Sequence, residues 1–361
     1  MAVKVGIIGA GGMASYHYDG FLQAGAVTAA IADPDTKRVE AFTKIRPVGK
    51  IFTTLAEMIK GCPELDAVSV VTPNKFHRPV TLEALEAGKH VFCEKPPALN
   101  AAEMAEMLAA SKKSGKTLMF DFNNRARPES RALMRYITEG AAGKINSAQA
   151  AWIRRAGIPG FGGWFTTKAL SGGGPVIDLP HMMDLALHFM GYPEPAWCLA
   201  GVFHDFMDNK AFKGPWGIPD SVNGITDVES SCHGMITFKT GQVLSIRCSW
   251  AEFVERELVR ASFQGTKAGG KVERLFGIDG IDATSIDTCS LYTEEYGVQV
   301  NRNLITEKDE SMGRVGQAAN FVESITGKEK ALNTAEEALI LMKIVDALYK
   351  SAASGKPVQM A

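Results

Sequence analysis

Five short, almost wholly apolar runs, VKVGIIG, AVTAAIAD, DAVSVVT, KHVFCE and TLMFDF, punctuate residues 3 to 121. Between them lie amphipathic stretches such as LAEMIKGC, RPVTLEALEAGK and AAEMAEMLAASKKSG. A strand that is apolar on both sides must be covered on both faces, and the alternation of run and helix supplies the cover. The pattern predicts a doubly wound α/β domain with a parallel sheet over residues 1–122. After Asn123 the texture changes: helical ARPESRALMRYITEG gives way to period-two runs joined by glycines, SAQAAWI, SCHGMITFKTG, QVLSIRCSWAEF and ELVRASFQGTKAG. Residues 123–361 therefore read as an α+β domain built on a large, mostly antiparallel open sheet. Near its end NTAEEALILMKIVDALYKSAASGKPV carries a capped helix that stops at Gly355.

The chain has 361 residues, 46% hydrophobic and 22% charged, which is ample for two cores. Its 39 Lys and Arg against 40 Asp and Glu leave a formal net charge of -1, so nothing draws it generally to nucleic acid or to an acidic membrane. No stretch approaches the roughly 20 apolar residues of a membrane span, and MAVKVGIIGAGG lacks the flanks of a signal peptide, so a cytoplasmic protein is expected. Six cysteines lie far apart without a CxxC pair; reduced, buried side chains are expected rather than disulfides or a zinc ribbon.

The first run ends in GIIGAGGMAS, which places Gly9, Gly11 and Ala14 in a GxGxxA pattern, with Gly12 and Met13 inside it. Gly9 permits the tight turn, Gly11 lets backbone approach a pyrophosphate, and Ala14 lets the helix pack on the sheet. Asp33 ends the next run, near the roughly 20-residue spacing of a ribose-binding acid. A Rossmann dinucleotide site follows, and Asp33 favours NAD over NADP because a carboxylate repels a 2′-phosphate. Lys37 and Arg38 nearby weigh the other way, unless they are a solvated first helical turn. In VTPNKFH, Thr72, Pro73, Asn74 and His77 follow a strand end, where they either line the nicotinamide side or serve as turn and capping residues.

CEKPP follows the next strand, so Lys95 projects at the carboxyl end of the sheet, where ligands bind in such folds. Glu94 reads as a nicotinamide-side contact or as an orienting partner. The double proline prompts the expectation of a cis Lys95–Pro96 peptide.

The ordered set of the GxGxxA turn, VTPNKFHRPVTLEALEAGKHVFCEKP, DFNNRARP, SGGGPVIDLPHMMDLALHFMG, DVESSCHGMITFKTG, SFQGTKAGG and EEALILMKIVDALYKSAASGKPV resembles the Gfo/Idh/MocA oxidoreductases over the whole chain. The resemblance implies an NAD-dependent enzyme in which Lys95 hydrogen-bonds a reacting hydroxyl and His181 acts as general base. The chemistry agrees, since hydride loss from a secondary alcohol needs simultaneous removal of the hydroxyl proton. A cationic lysine stabilises the developing alkoxide. Members of the family usually carry D-x-G-x-H, whereas DLPH sets Asp178 three residues before His181. Either Asp178, which is favoured, or Asp184, one turn later on the same helical face, assists the histidine. Asp178, His181, Asp184 and His188 include no HExxH-like pair and the resemblance implies no metal, so none is expected.

RRAGIPGFGGWFTTKALSGGG, residues 154 to 174, brings Arg154, Trp164 and Phe165 before the histidine on a glycine-rich loop read as flexible. Such a loop suits a ligand with ring C–H faces and many hydroxyls, a sugar, glycoside or polyol; the other reading is a packed loop with core aromatics. Asn123, with Arg125, either faces the substrate or fastens the domains, and Asp184 is a further candidate ligand. The insertion FMDNKAFKGPWGIPDSVNGITDVES carries Trp216, set to meet substrate or a neighbouring subunit. The period-two sheet should bury one face in a homodimer or homotetramer. Two other functions fit the same motifs: glycoside cleavage through a transient 3-keto sugar, and a catalytically silent dinucleotide sensor.

Overall fold

In the computed structural model, which describes residues 2–276 and 286–360, the chain divides into two compact units. The first comprises Met1–Arg127 with Asp309–Leu339, the second Pro128–Lys308 with Ile340–Ala361. The first holds six parallel strands, β1 Lys4–Ile8, β2 Val27–Ala32, β3 Lys50–Phe52, β4 Ala67–Val70, β5 His90–Cys93 and β6 Leu118–Phe120, in the order β3-β2-β1-β4-β5-β6. Helices α1 Gly12–Gln23, α2 Thr36–Thr43, α3 Leu55–Gly61, α4 His77–Glu86 and α5 Ala101–Ser114 alternate with them. Local chemistry sets their ends. Asp35 caps α2 through the Lys37 and Arg38 amides, Thr54 and Glu57 form a reciprocal capping box on α3, and α5 runs from an Asn100 cap to left-handed Gly115.

The second unit contains α6 Pro128–Thr138, β7 Ile145–Ile153, then three short helices α7 Lys168–Ser171, α8 Pro175–Asp178 and α9 His181–Phe189. Strands β8 Pro195–Phe203, β9 Ser231–Phe238, β10 Val243–Ser249, β11 Leu258–Gly265, β12 Ala268–Leu275, β13 Ile286–Glu295 and β14 Val298–Asn303 follow. Along the chain these are followed by α10 Arg314–Ile325, which belongs to the first unit, α11 Ala335–Ser354, which starts in the first unit and ends in the second, and β15 Val358–Gln359 of the second. The sheet order is β14-β13-β12-β11-β7-β10-β9-β8-β15, antiparallel throughout except for the parallel pair β7 and β10. Helix α9 lies against β7 and β11, which covers one face of the sheet and carries His181 at its first residue. Helix α11 begins after the Thr334–Glu337 capping box and ends at Gly355 with φ +63°, as its sequence predicts.

Residues 309–339 group with the nucleotide-type sheet rather than with the second unit, so the chain crosses between the units three times, after Arg127, Lys308 and Leu339, where the sequence suggested a single crossing at residue 123. The cause is a close helix contact. A Cβ on Gly20 of α1 would stand 2.5 Å from both Ala318 Cβ and Val315 O, so glycine lets α10 approach. Phe321 then reaches the sheet and stacks on Phe92 with centroids 5.3 Å apart.

Before α9 the chain is pinned by one buried acid. Glu229 accepts hydrogen bonds from the Gly174 and Val176 amides at 3.0 and 3.1 Å and from the Tyr349 hydroxyl at 2.8 Å. A Cβ on Gly173 would meet Tyr349 Oη at 1.9 Å, and one on Gly174 would meet Glu229 O at 2.2 Å. Gly173 and Gly174 of SGGG thus serve close packing, and Gly172, at φ +90°, ends α7 in the left-handed region; none of them supplies the flexibility read from the sequence. Replacing Glu229 by Ala strands two buried amides, and we expect a loss of roughly 2–4 kcal/mol in urea unfolding, whereas Tyr349→Phe, which spares both amides, loses roughly 1 kcal/mol.

Candidate functional site

The glycine turn sits at the carboxyl end of β1. Gly9 has φ +99°, and a Cβ there would lie 2.3 Å from Val71 O, so only glycine closes this turn. Gly11 and Gly12 differ: a Cβ on either meets no atom within 4 Å. Ala14 is fully buried against the sheet and Met13 packs beside the same core. Helix α1 starts with an extended Gly11 cap and no acid in its first turn, leaving its amides and positive end for an anion. Asp33 accepts the Ala10 amide at 2.7 Å through Oδ2 and the Asp35 amide at 2.8 Å through Oδ1. It thereby ties the second strand's end to the turn, and each oxygen keeps a further lone pair for a ribose hydroxyl. Thr72 Oγ1 is buried with no hydrogen-bond partner among the described residues. An open cradle, a helix start and an orphaned hydroxyl fit a dinucleotide.

Pro73 stands exposed before a short 3₁₀ turn over Asn74–Phe76, in which Asn74 is buried. His77 was expected among the nicotinamide-side or capping residues; the structure buries it completely. Its Nδ1 lies 2.7 Å from Pro96 O and its Nε2 2.8 Å from Thr72 O, so it braces two loops and offers no exposed atom. Burial lowers its pKa despite those carbonyls. The Lys95–Pro96 peptide is cis, and Lys95 is half-buried at the end of β5.

Glu94 points inward rather than outward. Its Oε1 lies 3.1 Å from His17 Nε2, and its Oε2 accepts the Lys95 amide at 3.1 Å. The same His17 nitrogen lies 3.6 Å from Asp121 Oδ2, and His17 Nδ1 lies 2.7 Å from Ser69 Oγ. Sequence reasoning passed over His17 and Asp121, yet both left a signal. His17 stands on the apolar face of α1 with Ala14 and Phe21, and Asp121 ends the fifth apolar run as Glu94 ends the fourth.

Asn123 is buried and donates Nδ2 to Met312 O at 2.6 Å, which fastens the segment before α10 within the first unit. Arg125 fastens the start of α11, donating to Leu332 O and Glu337 at 2.7 and 2.8 Å.

In the second unit Arg154 is the centre. Its guanidinium lies 3.9 Å from the Trp216 ring centroid and 5.2 Å from that of Trp152, with Glu257 Oε1 3.5 Å from Nε and Asp178 Oδ2 3.9 Å from Nη1. Nε and Nη1 are buried yet complete no hydrogen bond among the described residues. Burial lowers the Arg154 pKa against the opposing charges of Asp178 and Glu257, and raises that of Glu257. Asp178 accepts Trp250 Nε1 at 3.0 Å and Glu257 accepts Trp152 Nε1 at 3.0 Å. The Trp152 and His181 rings lie 5.6 Å apart. Asp184 is fully buried and accepts the Tyr192 hydroxyl at 2.6 Å. Trp164 and Phe165 stack at 3.8 Å, half-buried, on a loop whose glycines press on the 214–227 insertion: a Cβ on Gly224 would meet Gly162 O at 1.8 Å. This loop is packed, with its aromatics at the edge rather than in the core.

All six cysteines are free and buried, and among the described residues no helix is long and apolar enough to cross a membrane.

Comparison with known proteins agrees with both halves. Residues 3–122 match the model described as an oxidoreductase family with an NAD-binding Rossmann fold, and residues 135–360 match its C-terminal alpha/beta domain. D-glucoside 3-dehydrogenase of Escherichia coli (strain K12) is 34% identical over 297 residues, 82% of this chain and 79% of that protein. 1,5-anhydro-D-fructose reductase of Ensifer adhaerens is 26% identical over 360 residues, 98% of each. The structure of levoglucosan dehydrogenase in complex with NADH superposes with a TM-score of 0.83 over 100% of both chains at 21% identity, a likeness of fold.

The two kinds of glycine separate by experiment. Gly11→Val should leave the melting temperature within about 2 °C and weaken NAD binding about tenfold or more in calorimetric titration, because the side chain enters the cradle alone. Gly9→Ala should instead lower the unfolding free energy by roughly 1–3 kcal/mol.

Proposed function

Because the chain belongs, over both domains, to the Gfo/Idh/MocA family of NAD-dependent oxidoreductases, we propose that it moves a hydride between nicotinamide and a ring hydroxyl carbon of a sugar, glycoside or cyclitol. The observation that carries the reading is Lys95, held by its own amide on buried Glu94 and by the His77 brace on Pro96, at the carboxyl end of the NAD-binding sheet. The names of the relatives, a glucoside dehydrogenase and an anhydrofructose reductase, support a ring-shaped, hydroxyl-rich substrate.

Bound NAD supplies the hydride acceptor. Lys95 donates a hydrogen bond to the reacting hydroxyl oxygen and stabilises the alkoxide as it forms. His181, at the first turn of α9, takes the hydroxyl proton as general base. Asp178 orients that histidine from the end of α8, its carboxylate steadied by Trp250. Arg154 offers two unsatisfied N–H donors between the faces of Trp152 and Trp216, an arrangement that accepts hydroxyl oxygens and ring C–H edges together. Trp164 and Phe165 provide a further aromatic surface.

Assembly through the second sheet is part of the same proposal. Trp197, Leu199 and Phe203 of β8 and Met235 of β9 stand about half exposed, with Leu199 opposite Met235 in register. A contiguous apolar face of this kind fits a second copy of the chain.

The test is an NADH absorbance screen with methyl glucosides, free hexoses and inositols. At least one ring polyol should reduce NAD, and Lys95→Ala and His181→Ala should each lower kcat by roughly a hundredfold or more while NAD binding persists. No turnover on any of them with NAD bound would count against a dehydrogenase, and glycoside cleavage without net NADH would favour the transient keto-sugar route. Light scattering should give a dimer or tetramer, which Leu199→Glu with Met235→Lys reduces to a smaller species.

A further inference from the structure

Lys95 stands at the surface end of a buried charge chain whose other members no role yet explains. Behind it Glu94 splits its two oxygens between the Lys95 amide and His17 Nε2. His17 has no solvent exposure, lies 4.7 Å from Phe92 and 6.2 Å from Phe21 by ring centroid, and uses Nδ1 on Ser69. Its ring therefore cannot swing. Asp121 faces the same nitrogen and leaves Oδ1 buried without a hydrogen-bond partner among the described residues.

We propose that His17 is a positioning residue: as a buried imidazolium between Glu94 and Asp121 it locks the Glu94 carboxylate, which in turn holds the Lys95 amide and sets where the Lys95 ammonium stands. This rests on the reading of Lys95 as the group that meets the substrate hydroxyl. Two carboxylates cannot remain ionised together in so dry a place without a cation between them. A neutral Glu94 would accept the Lys95 amide more weakly, since hydrogen bonds to a charged acceptor are roughly twice as strong. The protonation states agree. Burial alone would lower the His17 pKa, but the hydrogen bonds and charges of Asp121 and Glu94 raise it to about 9. Glu94 is kept below its ordinary value, burial being outweighed by His17 and by the charges of Lys95 and His77. Burial and the Glu94 charge push Asp121 up to about 6, against His17 and Arg314 of α10. Thus the clamp is cationic at its centre at neutral pH and loses that charge as pH rises through about 9.

His17, Glu94 and Asp121 also place three ligand atoms within 4.8 Å, a spacing that a metal ion could use. Complete burial and the 3.1 Å bond from His17 Nε2 to Glu94 favour a proton in that place.

The experiment compares His17→Gln, Glu94→Gln and Lys95→Ala with the wild type, using NAD and methyl β-D-glucoside, or myo-inositol should only cyclitols react in the screen. His17→Gln and Glu94→Gln should lower kcat by about tenfold to a hundredfold, the scale of a misplaced catalytic group, with the NAD dissociation constant within about threefold. Nitrogen-15 histidine NMR of the wild type should show both His17 nitrogens protonated at pH 7.5 and a single titration near pH 9. The folded value lies above the ordinary 6.5, so the stability His17 contributes is complete below about pH 6.5 and fades as pH rises through about 9. The urea midpoint of the wild type should fall across that range, and that of His17→Gln should not. If His17→Gln does not fold, Glu94→Gln and the NMR signal decide. Full turnover in Lys95→Ala would remove the functional reading and the positioning role with it. Loss in Lys95→Ala with full turnover in both Gln variants would overturn the positioning role alone. A neutral His17 at pH 7.5, or one equivalent of zinc, iron or manganese retained by purified wild type and lost in Glu94→Gln, would also overturn it.

Discussion

A histidine with no contact with water lies between two carboxylates at the ends of adjacent parallel strands. Parallel strands of one sheet end together, so the first residues past β5 and β6, Glu94 and Asp121, fall side by side on the same edge. Their mutual repulsion needs a compensating charge, and α1, launched by the glycine turn, delivers His17 to the gap. Two features of the first unit are thereby coupled in one buried cluster: the helix whose start cradles the dinucleotide and the turn that carries Lys95. Displacing either disturbs the charge balance beneath both.

The second unit uses the same device with other residues. Glu229, pushed above its ordinary value by burial, holds the Gly174 and Val176 amides that introduce α8, and Asp178 at the far end of that helix is held by Trp250. The segment between the glycines and His181 is therefore anchored at both ends by carboxylates. DLPH thus has a fixed course without the glycine that the family pattern would place there. Helix α8 ends at Asp178, Leu179 and Pro180 turn the chain, and α9 begins at His181. Proline suits that junction because its missing amide is not needed at a helix start.

The parallel sheet, the capped last helix and the alternating sheet were legible in the sequence because each follows from local periodicity and local caps. Strand β3, Lys50–Phe52, was not, since none of its three residues is buried and it leaves no apolar run to mark it. Nor was the return of 309–339 to the first unit, which depends on Gly20 letting α10 close on α1, a contact between residues about 300 positions apart. Among the candidate site residues, Gly9, Gly11, Asp33 and Lys95 could be placed at strand ends from the sequence because the runs before them are continuous and apolar. His77 and Asn123 stayed open between two readings for a common reason. Polar residues next to a crevice serve the backbone as readily as a ligand, and only the positions of Thr72 O, Pro96 O and Met312 O distinguish the two. Trp250, Glu257 and Glu229 were missed because they reach their partners across the sheet from distant strands and loops.

Charge around Arg154 bears on what the site accepts. One guanidinium faces two carboxylates, Asp178 and Glu257, so the cluster holds no surplus positive charge with which to recruit an anion. Neither carboxylate completes a hydrogen bond to Nε or Nη1, so the guanidinium keeps donors while its charge is already matched. A neutral oxygen-rich molecule can satisfy those donors without adding a third negative group to a buried place, whereas a phosphate or carboxylate would have to overcome the repulsion of both acids. The aromatic faces of Trp216 and Trp152 add contact that suits the C–H edge of a saturated ring and gives nothing to a strongly hydrated anion. The electrostatics therefore favour, among polar ligands, an uncharged, hydroxylated ring, the class that the roles proposed for Lys95 and His181 call for.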